Sequence, residues 1–364
     1  MHTADLQFHI IYTPDTVVHL TPFVLSLLEF SDCRYQLVSN GCLPPEADLL
    51  EEFCAGDPRL SFRKLATTEM LDHGSALDTL QADCRDEWFC FMDSDILAVA
   101  PFSELLGRYI DDCDVFSSGH PLWHAPEDIF LPPHFRRWQG SYCAATDGTT
   151  LGFTYFALYR NAALSQVRQE TGIGFGYRYW DTVPAAQQSV LKQSRLDKID
   201  YDTGKLLMAL MHIAGFRLRA AELDALLHLG GVSALAGEPP DYYYRGRLDR
   251  LACTLLSGAL ARPLFYLADL RLGLRSASPG LTREQSAMLT AGERRVMQSR
   301  RRKRINTARY FTALLLSLQR AAPTPDLPKL GYGPAEQRIA DATEHVRRQF
   351  AARPPKTLQA AVTG

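Results

Sequence analysis

A chain of 364 residues with 46% hydrophobic and 22% charged residues is long enough for one large or two moderate domains, and its composition excludes a disordered, collagen-like or coiled-coil protein. The formal net charge of −2 hides a division. Residues 1–241 hold 17 of the 39 Lys and Arg and 33 of the 41 Asp and Glu, a net −16, whereas residues 242–364 carry a net +14, so the two regions are expected to do different jobs.

Met1 to Gln7 lacks the basic stretch and apolar run of a secretory leader, so no export is expected. Apolar runs such as Phe311 to Leu318 fall short of the ~20 residues that span a bilayer. The eight cysteines, at 33, 42, 54, 84, 90, 113, 143 and 253, form no CxxC pair and read as reduced, structural thiols. Together these features predict a cytoplasmic protein, with peripheral attachment to the inner membrane surface as a variant of that reading.

In chain order, Phe8 to Tyr12 is a short apolar run closed by Thr13-Pro14-Asp15, the pattern of a buried strand ending in a turn. Val17 to Phe30 carries apolar residues at helical spacing, and Arg34 to Val38 and Arg59 to Leu65 read as further strands. Glu87 to Met92 is apolar without alternation, as in a strand covered on both faces of a parallel sheet. Asp114 to Ser118 and Gly152 to Tyr159 read as strands, and Pro121 to Thr150, rich in Pro, Trp and His, as a long loop region. Asp202 to Gly215 reads as a helix with an apolar stripe at Leu206, Leu207, Leu210 and Met211 and a glycine stop. Beyond Asp241 the pattern is helical, with the basic run Arg300 to Arg304 and a break at Pro323 to Pro328. Strands alternating with helices imply an α/β fold whose ligand crevice lies at the carboxyl ends of parallel strands.

The chemistry is expected at Asp93-Ser94-Asp95. Two aspartates one residue apart are common by chance, but these emerge together from a wholly apolar strand and are followed by Ile96 to Ala100. Burying two like charges is costly unless a cation or hydrogen bonds offset them, and a divalent metal is the simple answer. Oxygen ligands suit Mg²⁺ or Mn²⁺, and an imidazole tilts the balance to Mn²⁺. His228 is that candidate, followed by Gly230 and Gly231, which would let backbone approach a phosphate closely; alone it would read as a core histidine before a turn.

Taken with Tyr12-Thr13 at the end of the first strand, Asp72 to Asp78, Gly152 to Arg160, Tyr201-Asp202-Thr203-Gly204 and His228 with Gly230-Gly231, this motif resembles the GT-A glycosyltransferases, particularly their family-2-like branch, over about residues 6–235. The resemblance implies a Rossmann-like, mainly parallel sheet flanked by helices over 1–241, with 242–364 as a basic helical extension. It implies that Asp95 binds the metal directly, that Asp93 holds the ribose or a metal-bound water, and that His228 completes the metal site. Backbone near Tyr12-Thr13 and the His73-Gly74 segment would cradle the nucleotide, with Ser94 among the nucleotide-binding residues. The donor would be a nucleoside diphosphate sugar and the acceptor a glycan, a lipid-linked or a small molecule. Where that branch carries Glu-Asp, this chain has Tyr201-Asp202; Asp202 is expected to be the general base, with a helix cap as its competing role and Asp181 and Asp200 as alternatives.

Other readings of the same residues are a DxD phosphatase, which needs Thr or Val where Leu97 stands, and a nucleotide-sugar-binding scaffold without turnover. Trp123, Trp138, Tyr179 and Trp180 could stack on a sugar ring. The candidate residues all precede Val232, so the basic region is expected to govern location or assembly rather than chemistry. It reads either as a solvated helical face or as an attachment of residues 294–320 to an anionic membrane surface. Nucleic acid is not expected, because aromatics do not interleave with the charges, and a homo-oligomer is left open.

Overall fold

The computed structural model describes residues 3–14, 16–66, 69–124, 143–152, 154–198, 200–232, 291–319 and 321–352. Trp138 and the expected helices of 242–290 lie outside the described residues. From the N-terminus come β1 (Gln7–Tyr12), α1 (Val17–Phe30), β2 (Arg34–Ser39), α2 (Pro44–Cys54), β3 (Leu60–Lys64), α3 (His73–Asp83), β4 (Trp88–Met92) and β5 (Ile96–Ala98). Next are α4 (Ser103–Ile110), β6 (Val115–Ser118), β7 (Cys143–Ala144), β8 (Thr150–Leu151), β9 (Phe156–Arg160), α5 (Asn161–Thr171) and β10 (Arg178–Tyr179). The described chain closes with α6 (Ala185–Gln193), β11 (Asp200–Tyr201), α7 (Lys205–Ile213), β12 (Leu218–Ala220), β13 (Leu226–His228), α8 (Ala291–Gln319) and α9 (Gly333–Ala352).

Seven strands form one sheet in the order β12-β6-β9-β4-β1-β2-β3. The pairs β1–β2, β2–β3, β1–β4 and β12–β6 are parallel, and β9 runs antiparallel between β4 and β6. This is an α/β fold with a mainly parallel sheet flanked by helices, as expected. The absence of alternation in β4 has the expected cause. Trp88, Cys90 and Met92 enter the core on one face of the sheet, and Phe89 and Phe91 enter the core on the other. A strand loaded on both faces has no polar side to show.

The two faces are covered by different helices. One core holds Val24 and Leu27 of α1 and Leu106 and Ile110 of α4; the other holds Leu77 and Leu80 of α3, Leu164 of α5 and Leu206 to Met211 of α7. Helices α8 and α9 join the first core through Tyr310, Phe311, Leu314 and Leu315 and through Ile339, Ala342 and Val346. The basic C-terminal region therefore supplies part of the sheet's covering layer, and the apolar side of α8 is turned inward. No helix among the described residues is long and apolar enough to cross a membrane.

Two boundaries differ from the sequence reading. The helix expected from Asp202 starts at Lys205, because Gly204 takes a left-handed conformation (φ +73°) and residues just before it pair with another segment. The strand expected from Gly152 starts at Phe156, leaving Thr154 and Tyr155 as a connection that crosses the carboxyl edge of the sheet. Phe311, fully buried, should cost about 3–5 kcal/mol when truncated in Phe311→Ala, whereas Arg302→Ala on the exposed side of the same helix should stay within about 0.5 kcal/mol, both read from urea denaturation midpoints.

Candidate functional site

The Asp93-Ser94-Asp95 turn leaves β4 at its carboxyl end and enters β5, which pairs antiparallel with β13 so that His228 stands opposite Ile96. That register sets His228 beside the carboxylates although 133 positions separate it from Asp95 in the chain. The His228 Nε2 atom lies 3.2 Å from Asp95 Oδ1 and 3.4 Å from Asp93 Oδ2. The ligand atoms of the three residues all lie within 4.8 Å of one another, and they form a group that could hold a metal ion.

Asp95 is fully buried, and each of its oxygens has a separate task. Oδ2 accepts the backbone N–H groups of Gly231 and Val232, both at 2.9 Å. Oδ1 faces His228. With φ of +78° and +102°, Gly230 and Gly231 after His228 turn the chain so that two N–H groups reach the Asp95 carboxylate. A Cβ on Gly230 would fall 2.6 Å from Pro121 Cβ and 2.8 Å from Trp123 Nε1, so the turn is also sterically closed to other residues.

On the far side of the imidazole, His228 Nδ1 is 2.8 Å from the carbonyl oxygen of Gly119. A carbonyl can only accept, so Nδ1 carries the proton and Nε2 is the atom presented to the carboxylates. Burial opposes a charge on His228, but Asp95 and Asp93 outweigh it and hold the imidazole well above its ordinary range. Burial likewise opposes the charge on Asp95, which is nonetheless held below the usual carboxylate range by His228 and by the Val232 and Gly231 N–H groups. Asp95 Oδ1 and His228 Nε2 are both buried and make no hydrogen bond of acceptable geometry to any described residue, despite their 3.2 Å separation. Without an ion the raised imidazole carries a proton on Nε2 as well; a divalent cation would displace that proton and take Nε2 together with Asp95 Oδ1 and the second carboxylate oxygen, Asp93 Oδ2, which leaves neither buried atom unsatisfied.

The remaining candidates are distributed around this centre. Ser94 is buried between the two aspartates. The Tyr12 ring is core, and its carbonyl accepts from Asn40 N–H; the Thr13 N–H is taken by the Thr16 hydroxyl at 3.1 Å. His73 is exposed at the start of α3, with Asp72 as cap accepting from Ser75 N–H. Gly74 is accounted for by packing, since a Cβ there would lie 2.5 Å from Gly176 Cα. Asp202 is exposed and accepts the Thr203 N–H at 2.9 Å; α7 has no side-chain cap, so the capping role considered for Asp202 is not filled.

The turn that carries Asp202 is joined to the strand end of Asp93 through one dipeptide. The Thr154 hydroxyl donates to the Thr203 carbonyl at 2.8 Å, and the next carbonyl, of Tyr155, accepts the Asp93 N–H at 2.7 Å. The Tyr155 ring lies 4.4 Å from the His228 ring. Neither Tyr155 nor Gly119 stood out in the sequence; a glycine at the end of a strand was the only signal for the latter. Arg304 was also missed, because its basic run reads as surface. A Cβ on Gly231 would lie 3.4 Å from Arg304 Nε, so a side chain of the C-terminal region stands beside the turn that holds Asp95, while the three candidate metal ligands all precede Val232.

No family model matches the sequence, and no curated protein matches it. Among solved structures the chain is similar to residues 1–349 of S. aureus TarS, with 15% identity, a TM-score of 0.39 and coverage of 95% of this chain and 92% of that one. It is also similar to the mannosyltransferase PcManGT from Pyrobaculum calidifontis, solved with GDP-Man and Mn²⁺, at 12% identity, a TM-score of 0.39 and coverage of 84% and 86%. The galactosyltransferase LgtC, solved with donor and acceptor sugar analogues, gives 12% identity and a TM-score of 0.36 over 59% of this chain and 73% of that one. The chain spans 38% of the bifunctional glycosyltransferase WbbM, at 14% identity and a TM-score of 0.37 over 59% of its own length. Likenesses this distant carry no weight for the chemistry, which has to be argued from the side chains.

A folded protein that binds the ion at this cluster should gain roughly 2.7 kcal/mol of apparent stability at Mn²⁺ concentrations one hundred times Kd. The wild-type melting temperature should therefore rise with Mn²⁺, and that of Asp95→Asn should not. Equal shifts in the two proteins would place the ion elsewhere.

Proposed function

We propose that this chain is a metal-dependent glycosyltransferase that moves a sugar from a nucleoside diphosphate sugar, a UDP-sugar being favoured, to an acceptor hydroxyl with inversion at the anomeric carbon. The observation that carries the reading is the convergence of Asp93 Oδ2, Asp95 Oδ1 and His228 Nε2 at the carboxyl edge of a mainly parallel sheet. These residues would hold Mn²⁺ or Mg²⁺, and the imidazole among the oxygens favours Mn²⁺. Bound there, the ion supplies Lewis-acid stabilisation of the charge that develops on the departing diphosphate.

The protein's own residues divide the rest of the work. Gly119, Gly231 and Val232 hold the metal ligands in orientation, through the His228 Nδ1–H and the Asp95 Oδ2 hydrogen bonds. Asp202 is assigned as the general base: its carboxylate takes the proton of the acceptor hydroxyl while that oxygen forms the new bond to the anomeric carbon, and the bond from that carbon to the diphosphate breaks on the opposite face. The Thr203 N–H steadies the Asp202 carboxylate, and the Thr154-Tyr155 connection ties its turn to the strand end that bears Asp93. One carboxylate is enough for such a direct displacement.

Asp95→Ala should abolish transfer in a protein that circular dichroism shows to be folded, and wild-type turnover by that variant in excess EDTA would refute the metal's role. Asp202→Asn, which keeps the size and the hydrogen bond from Thr203 but cannot take a proton, should lower turnover by ~10²-fold or more. NMR of the product should show the inverted anomer; a retained configuration would leave Asp202 without its task.

A further inference from the structure

Tyr177 and Tyr179 are 42% and 46% exposed, among the few large apolar side chains left in solvent by the described residues, and they stand together with their rings edge to face at 5.1 Å. Exposed aromatic pairs of this kind need a reason, because each ring offers apolar area that water solvates poorly. Their place in the fold supplies one. Strand β10 pairs antiparallel with β11, Arg178 opposite Tyr201 and Tyr179 opposite Asp200. The same register is held farther along by the Gly204 N–H, which donates to the Phe175 carbonyl at 2.8 Å. Tyr177, between these two fixed points, is therefore opposite Asp202.

Directly opposed residues of an antiparallel pair project to the same side, and alternate residues of one strand share a side. The ribbon accordingly has an inner side, where Tyr201 is buried and its hydroxyl donates to the Leu196 carbonyl, and an outer side bearing Tyr177, Tyr179 and the exposed Asp202. Of the other rings noted in the sequence, the two that are described stand elsewhere. Trp123 is buried against the Gly230 turn, and Trp180 is half-buried with the Lys192 ammonium 5.5 Å from its ring centre.

We propose that this outer side is the acceptor subsite and that the acceptor is a carbohydrate, its pyranose ring lying with the apolar C–H face on Tyr177 and Tyr179 and one hydroxyl reaching Asp202. The assignment rests on the transferase reading above. The chemistry of the patch selects a sugar over an acyl chain or a protein surface. Its apolar area is limited to two rings, and the exposed carboxylates of Asp181 and Asp202 stand close to them in the chain and across the ribbon. A pyranose offers one apolar face and an edge of hydroxyls that such charges can bind, whereas an acyl chain needs a continuous apolar groove.

The test applies the full-length protein to an array of immobilised glycans and, separately, to phospholipid vesicles. The wild type should be retained on one or more pyranosides. A Tyr177→Ala/Tyr179→Ala protein, folded by circular dichroism, should lose at least about tenfold in retention, while the Tyr177→Phe/Tyr179→Phe protein, which keeps both rings, should stay within a factor of about three. The proposal is overturned if no glycan retains the wild type, if the double alanine variant is retained equally, if the phenylalanine variant falls as far as the alanine one, or if only vesicles bind. Tyrosine-dependent glycan retention without turnover of any nucleotide sugar would sustain the carbohydrate site and remove the transferase reading alone. Turnover together with retention that ignores the tyrosines would do the reverse.

Discussion

The structure around the site depends on keeping one carboxylate ionised away from water. An isolated buried charge costs several kcal/mol even after relaxation, so it persists only where partners surround it. Asp95 has them on both sides: two backbone N–H groups on Oδ2, and the His228 imidazole facing Oδ1. Each partner constrains something else. The N–H groups require the left-handed Gly230-Gly231 turn, the imidazole requires the β5–β13 pairing, and its tautomer requires the Gly119 carbonyl at the end of β6.

From this follows how the site is assembled from distant segments. Strands β4 and β6 bring Asp93 and Gly119 to the same edge because both pair with β9, and the connection that leads into β9, Thr154-Tyr155, touches both Asp93 and the segment of Asp202. Pro121 bridges to His228, and the Leu122 N–H donates to the His228 carbonyl, so the loop after β6 also braces the metal-ligand strand. Helix α9 reaches this brace in turn, with Arg338 donating to the carbonyls of Leu122 and His124. Through such contacts, and through Arg304 beside Gly231, the C-terminal helices support the site as well as the core.

This arrangement gives the charge division of the chain a structural meaning. The acidic N-terminal part carries the carboxylates, and the basic helices lie on the same body of the protein with their apolar sides inward. A helix whose Phe311 and Leu314 fill a core still carries exposed charges such as Arg302 and Arg304, whereas Lys303 of the same run is buried, so Arg300 to Arg304 looks like an independent basic tail only when the sequence alone is read.

The sequence by itself determined the strand–helix alternation, the full burial of β4 and the place of Asp93 and Asp95 at a strand end, because local hydrophobic pattern and turn residues carry that information. It also marked His228 and the paired glycines as candidates, through their company rather than their own chemistry. Only the tertiary structure decided that β9 runs antiparallel, since a strand buried on both faces reads the same in either direction. It alone decided that the glycines serve Asp95, that Gly204 delays the helix after Asp202, that Tyr177 stands across from Asp202, and that α8 and α9 close the core. Each of these is a pairing between residues far apart in the chain, fixed by register and by the burial of whole faces, and no local pattern encodes which distant partner a face will meet.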